Sequence, residues 1–366
     1  MISKFVLSLL GGTLIAAPAH AWTVTNLHPV GATGSLAFGG SGAIQVGRSI
    51  VGGVTRASLW SGTAGSWVDL SPTGAVQSEA YGASGTNQVG LASLGGNGHA
   101  SLWSGTSGSW VDLNPAAASS SIAYSTSGPN QVGIAAVGGI LRASLWSGTP
   151  GSWVDLNPAG SGTSYAYGVA GPEQSGWAAV GGVIRASRWS GTAGSWVDMH
   201  PVGTSVSIAY NTDALTQVGT ATVAGIQHAS LWTGTAGSWV DLNPAGSARS
   251  IARSVLGARQ VGFANIGGDR AGLWSGTAGS WLDLHALLPS TFASSDAYAI
   301  TTDGSFDYIA GFGLNNATGR VEALLWQQPV PEPATLVAVA LGLGGLAARR
   351  RRREDAHSCC PNPRSS

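Results

Sequence analysis

The phrase Ala-Ser-Leu-Trp-Ser-Gly-Thr-x-Gly-Ser-Trp-Val-Asp-Leu recurs along the chain with small variations, and its spacing constrains the fold more than anything else in the sequence. Its first tryptophan falls at Trp60, Trp103, Trp146, Trp189, Trp232 and Trp274, in steps of 43, 43, 43, 43 and 42 residues. A period of 40–45 residues holding several short strands is the mark of a β-propeller blade.

One unit, 78–115, reads as four strands. Glu79-Ala80-Tyr81-Gly82-Ala83 is a first strand, and Ser84-Gly85-Thr86-Asn87 has turn chemistry. Gln88-Val89-Gly90-Leu91-Ala92-Ser93-Leu94 is a second strand, and Gly95-Gly96-Asn97-Gly98 a hairpin turn. His99-Ala100-Ser101-Leu102-Trp103 is a third. After a loop, Trp110-Val111-Asp112-Leu113 is a fourth, stopped by Asn114-Pro115. Large residues alternate with Ala, Gly and Ser throughout. A blade is covered on both faces by its neighbours, so charged faces are not required, and only 9% of the chain is charged. One buried tryptophan contributes about 4–6 kcal/mol gross from its area alone.

Seven units are countable. The residue ending the fourth strand recurs as Leu27, Leu70, Leu113, Leu156, Met199, Leu242 and Leu284. The aromatic residue of the first strand recurs as Phe38, Tyr81, Tyr124, Tyr167 and Tyr210, then Arg253, then Tyr298. The phase is offset: residues 22–27 are a lone fourth strand, and the last unit ends on its third strand at Trp326. The missing strand of the last blade therefore stands at the other terminus. This predicts an all-β, seven-bladed propeller of residues 22–328, closed by pairing of its N- and C-terminal strands and so without free edges.

Composition narrows the function classes. Between Trp22 and Val330 there are 10 Arg against 14 Asp plus Glu, a mildly acidic body that argues against nucleic-acid binding. Both cysteines, Cys359 and Cys360, lie beyond that body, so packing rather than disulfides must hold it.

The two ends read as addresses. Lys4, the apolar run 5–17 and Ala19-His20-Ala21 form a signal peptide over 1–21, with cleavage after Ala21. At the other end stand Pro331-Glu332-Pro333, the apolar run 334–348 and five arginines, 349–353. Fifteen apolar residues are short for a full membrane span, which usually needs about 20. The arginines would hold this end on the cytoplasmic side, followed by a disordered cytoplasmic tail over 354–366. Segment 329–353 resembles the PEP-CTERM sorting signal of Gram-negative bacteria. That resemblance implies export through the inner membrane, transient membrane insertion, and recognition of Pro331, Glu332 and Pro333 by an exosortase-type enzyme. It also implies a setting at the cell surface or in the exopolysaccharide and biofilm layer. From Trp22 to Trp326 the Gln-Val-Gly and His/Arg-Ala-x-Leu-Trp motifs resemble the HAF family of extracellular repeats, which implies a secreted β-rich repeat protein and supplies no catalytic residues.

Two further polar registers accompany the aromatic one. The first is Asn26, Asp69, Asp112, Asp155, Asp198, Asp241 and Asp283 on the fourth strand. A carboxylate repeated in nearly every blade suits structural hydrogen bonding to the following loop, because catalysis needs unlike groups converging at one place. The second is Arg56, His99, Arg142, Arg185, His228 and Arg270, with Glu322 in the seventh slot. These cations either bind an acidic polysaccharide multivalently or each pair with a neighbouring blade's Asp or a carbonyl. The aromatic register either stacks on sugar rings near a central channel or fills the gap between blades. His99 and His228 lie three units apart, so no metal site follows from them.

The loop Ser61-Gly62-Thr63-Ala64-Gly65-Ser66-Trp67 resembles a shortened Asp-box hairpin of sialidase-type propellers. The Asp is missing, and no sialidase activity follows. Asp303-Gly304-Ser305-Phe306-Asp307 is too poor in ligands for a calcium loop. There is no Gly-x-Ser-x-Gly elbow and no P-loop. The reading is a non-enzymatic, surface-sorted repeat protein with no cofactor. Its alternative is a glycan-processing lyase or glycosidase on the same scaffold, which should break the repeat in one sector. Glu173, Trp177 and Arg253 are the departures within the regular units.

Overall fold

The computed structural model describes residues 21–330. Most of the expected signal peptide, Pro331, Glu332, Pro333, the apolar segment and the basic tail lie outside the described residues.

The described chain forms seven four-stranded antiparallel sheets. The first blade runs through strands Ala32–Ser41, Ile44–Val51, Val54–Trp60 and Val68–Asp69 in order. The sequence dictates this locally. Turns such as Gly95 (φ +60°) and Gly96 (φ +94°) need two left-handed residues in succession, the type I′ geometry whose twist matches a tight hairpin. The fourth strand is shorter than its sequence suggests. Trp67 ends a single 3-10 turn (Ala64–Ser66), so only Val68–Asp69 ladder with the third strand. The backbone N–H of Leu70 adds one more bond, to Ala57 O at 2.8 Å.

The seventh sheet is completed from the other terminus. Thr23–Asn26 pairs antiparallel with Arg320–Pro329, in the register Thr23 with Gln327, Val24 with Trp326, Thr25 with Leu325 and Asn26 with Leu324. The closure expected from the phase of the repeat is present.

Packing is organised at the seams between blades. Seven core clusters form, each spanning two consecutive blades. In one of them Val46, Ala57 and Leu70 of the first blade enclose Trp103 of the second. Trp60 packs in the same way against Leu27 and Leu325 of the closing blade. The seven tryptophans at the ends of the third strands, Trp60 to Trp326, are all fully buried. Each acts as a wedge against the preceding sheet, which is why little charge is needed to hold the ring.

A buried serine stitches each seam. Ser78 Oγ accepts the N–H of Ala57 across the first seam at 2.9 Å, and Ser35 Oγ accepts that of Ala323 across the closing seam at 2.9 Å. Ser121, Ser164, Ser207, Ser250 and Ser295 repeat the bond at 2.8–3.0 Å. A Ser, Asn or His at the start of the preceding loop holds that hydroxyl from the other side, as His28 does for Ser35 and Asn114 for Ser121. Three of the five body histidines, His28, His200 and His285, have this seam role.

Candidate functional site: the central channel

The first strand of every blade carries a β-bulge at the same place. In the first blade the pairing shifts between Ala37 and Gly39, leaving Phe38 as the extra residue. The same shift singles out Tyr81, Tyr124, Tyr167, Tyr210, Arg253 and Tyr298. A bulge re-aims the side chain it carries, and here it turns all seven toward one cavity of about 710 Å³. The first strand is therefore innermost, and the aromatic register lines the channel.

The seven groups close a ring. Successive centroids from Phe38 through Tyr81, Tyr124 and Tyr167 to Tyr210 lie 5.6, 5.5, 5.0 and 5.5 Å apart, and Tyr298 returns to Phe38 at 5.3 Å. Arg253 fills the remaining gap. Its guanidinium carbon stands 5.5 Å from the Tyr210 centroid and 4.5 Å from that of Tyr298, in cation–π range of both. These spacings are those of favourable tilted aromatic pairs, so the ring also packs the blades together.

Two ion pairs break the symmetry of the wall. Arg253 reaches Asp296 Oδ2 at 3.1 Å, and Arg48 reaches Glu79 Oε1 at 2.9 Å while Tyr81 donates to Glu79 Oε2 at 3.1 Å. Burial pushes the Asp296 carboxyl up to about 6, with Arg253 opposing. Its Oδ1 is buried without a hydrogen-bond partner, which penalises the ionised form further. Burial raises the phenols of Tyr81, Tyr124, Tyr210 and Tyr298, and carries Tyr167 to about 12, so all five stay protonated donors at neutral pH. Beside the ring, Tyr165 stacks on Trp177 with centroids 4.6 Å apart. The departure at Arg253 thus falls on the channel, and that at Trp177 stands beside the ring against Tyr165. Glu173 lies elsewhere, accepting from Ser190 at 2.6 Å and facing Arg188 at 3.5 Å.

The Arg/His register sits away from the channel, and each member has a carboxylate partner in its own blade. Arg56 faces Asp69 at 2.8 Å, His99 Asp112 at 2.8 Å and Arg142 Asp155 at 2.7 Å. Arg185 faces Asp198 at 2.9 Å, His228 Asp241 at 2.7 Å and Arg270 Asp283 at 2.7 Å. The expected partner is a neighbouring blade's Asp or a carbonyl; carbonyls are met by Arg185 at Val180 and Arg270 at Ile266, but the Asp is not the neighbour's. The third and fourth strands are adjacent in one sheet, which brings residues 13 apart together and makes the pair internal to the blade. The second carboxylate oxygen takes a backbone N–H of the following loop, as Asp69 Oδ1 does from Ser71 at 2.8 Å. Asp303 Oδ1 is likewise occupied by the N–H groups of Ser305 and Phe306, both at 2.8 Å. Among the described residues no group of three or more His, Cys, Asp or Glu could hold a metal ion.

Sequence reasoning missed the glutamine of Gln-Val-Gly. Gln45 Oε1 accepts the N–H of Gly62 at 3.0 Å, pinning the Trp-Ser-Gly-Thr loop. Gln88, Gln131, Gln174, Gln217 and Gln260 do the same. The closing blade has no such loop, and Ile309 stands in that slot. That correlation was the available signal.

Residues 329–353 match the PEP-CTERM protein-sorting motif. This motif is the element that exosortase-type sorting enzymes recognise, and it marks a protein for export and surface sorting in Gram-negative bacteria. The match covers the sorting segment only, and the likeness of residues 22–326 to HAF repeats rests on their short motifs alone. No curated protein sequence is significantly similar to the chain. Among solved structures, the β-propeller domain of the Trilobed protease from Pyrococcus furiosus, described as having an open velcro topology, is 8% identical. It aligns over 82% of this chain and 97% of that one with a TM-score of 0.53. The Pyrococcus horikoshii acylaminoacyl peptidase is 6% identical over 84% of this chain and 54% of its own, with a TM-score of 0.52. At such identities the likeness is one of fold.

Proposed function

We propose that this surface-sorted propeller is a non-catalytic component of the extracellular polysaccharide layer, acting by binding or as matrix structure. The observation that carries this reading is positional. The sorting motif begins at residue 329, where the strand that completes the ring, Arg320–Pro329, ends. The ring and its address are thus contiguous, which suits a rigid module delivered whole to the surface. The repeated polar registers support the same reading, because each is engaged in holding a blade together: Arg or His with Asp, Gln with a loop N–H, Ser with the next blade.

The test is fractionation of cells producing the full chain, beside a variant lacking 331–353. The full chain is expected in the extracellular matrix fraction and the variant in the periplasm. Recovery of the full chain only in inner membranes contradicts the proposal. A glycan-processing enzyme is the competing reading. Asp296, raised to about 6 by burial and paired with Arg253 of the channel lining, would be its acid. Release of reducing or unsaturated sugar ends from matrix polysaccharide, abolished by Asp296→Asn, would establish it instead.

A further inference from the structure

We infer that the central channel is a binding site for neutral carbohydrate, hexose units without carboxylate or sulfate groups; this rests on the proposed role in the polysaccharide layer and names the ligand class. The cavity, about 710 Å³, falls within the range of small-ligand sites. Its wall combines two kinds of group. Rigid aromatic faces are set there by bulges, and donors among them have no protein partner. The hydroxyls of Tyr124, Tyr210 and Tyr298 make no hydrogen bond with the described residues, whereas Tyr81 is spent on Glu79. Among the described residues the Ser125 hydroxyl on the same lining has no partner either, and the Asn211 side chain is engaged only through its oxygen, which accepts from Val255 at 3.4 Å.

A pyranose presents apolar C–H faces and a rim of hydroxyls. The aromatic faces meet the first and the free phenols, Ser125 and the Asn211 amide nitrogen meet the second. Rigid tyrosines supply this contact at low entropy cost.

Charge decides between neutral and acidic sugars. The cavity lining carries two cations, Arg48 and Arg253, and each is held by a carboxylate, Glu79 or Asp296. An anionic sugar entering here would meet no unpaired cation and would face the Glu79 carboxylate. Each Arg or His of the outer register is already paired with an Asp of its own blade, which competes with an acidic chain. Both regions therefore select against the acidic polysaccharide that the sequence suggested.

The experiment is calorimetric titration of the full chain in detergent with cellohexaose and maltohexaose, and with hexagalacturonate as the acidic probe, at low and high salt. Saturable binding of at least one neutral probe is expected, unchanged by salt. Tyr124→Phe keeps the ring packing and should weaken it about five- to tenfold, the loss of one hydrogen bond. Ser125→Trp should fill the cavity and abolish it, while Arg142→Gln on the outer register leaves it unchanged. Failure of both neutral probes to bind, or binding indifferent to Tyr124→Phe and Ser125→Trp, overturns the inference. Salt-sensitive binding of hexagalacturonate lost in Arg142→Gln overturns it too, but leaves the matrix role standing. Neutral-probe binding by a protein that fractionates only to inner membranes would do the reverse.

Discussion

The Asn26 side-chain amide donates to Glu322 Oε2 at 2.7 Å, joining residues 296 apart in the chain. In the other six blades this position holds a carboxylate on the fourth strand and an Arg or His on the third. In the closing blade the polarity is reversed: the acid has moved to the third strand, and the fourth carries an amide. Glu322 also accepts from Asn315 at 3.0 Å and Thr318 at 2.8 Å, so the whole carboxylate is engaged at the closure.

The exchange should be separable by mutation. Asn26→Asp alone sets two carboxylates against each other, and Glu322→Arg alone removes the acceptor for three donors. Each should destabilise by about 1–2 kcal/mol. The double variant rebuilds the arrangement of the other blades, so its loss should be smaller than the sum of the singles by at least about 0.5 kcal/mol. Chemical denaturation of the four proteins measures this coupling.

The seam serines should be costly to remove for their size. Ser121→Ala leaves the N–H of Ala100 and the side-chain oxygen Oδ1 of Asn114 without their hydroxyl partner. A loss of about 1–3 kcal/mol is expected. Ser121→Ala with Ser250→Ala, on separated seams, should be additive.

Glycines of similar appearance should differ in tolerance. A Cβ on Gly133 would overlap the carbonyl oxygen of Ile122 on the adjacent strand, whereas none of the surroundings of Gly138 (φ +61°) would touch one. Gly138→Ala should therefore cost about 1 kcal/mol from its left-handed backbone. Gly133→Ala should cost more than about 3 kcal/mol or prevent folding. Denaturation midpoints or soluble yield distinguish them.

Acid should act on the fold in three steps of known sign. Burial lowers the His200 and His285 imidazoles below the ordinary value of about 6.5. Their contribution is complete above that pH and declines as pH falls through the folded values. Asp296 acts oppositely. Its folded value, about 6, lies above the ordinary one, so stability is gained as pH falls through 6 and is complete below about 4. Burial would raise Glu322, but its bonds from Asn315, Thr318 and Asn26 hold it below the usual carboxylate range, so its contribution to the closure is lost at still lower pH. His200→Asn with His285→Asn, placing the Asn found at 114, 157 and 243, should flatten the decline below pH 6.5 in Tm profiles. Asp296→Asn should remove the opposing gain.

The parts of this molecule legible in its sequence were those carried by large residues at a fixed period. Trp60 and its repeats carried the period, Leu27 and its repeats the count of seven, and the unpaired strand at 22–27 the closure. Phe38 and the tyrosines after it were legible as a register, with the channel and the gap between blades both open as its place until the first strand proved innermost. The partners of the small and charged residues were less legible. Arg56 meets Asp69 only because a loop folds the fourth strand back against the third, and a spacing of 13 residues does not announce that. Ser78 and its equivalents recur without exception three residues before the channel residue, yet a serine among alanines and glycines reads as filler until the neighbouring backbone is placed. The bulge that turns Tyr81 inward depends on one unpaired residue in a ladder, which alternation of side chains does not reveal.

Closure of the ring by Thr23–Asn26 is the claim on which the channel and its lining depend. Thr23 and Gln327 are direct partners across that pairing. With Cys359 and Cys360 replaced by serine, Thr23→Cys and Gln327→Cys should form an intramolecular disulfide under mild oxidation. The bridge should stabilise by about 2–4 kcal/mol, read as a Tm higher than that of the reduced protein. Thiols that stay free, or that link only separate molecules, would contradict the closed ring.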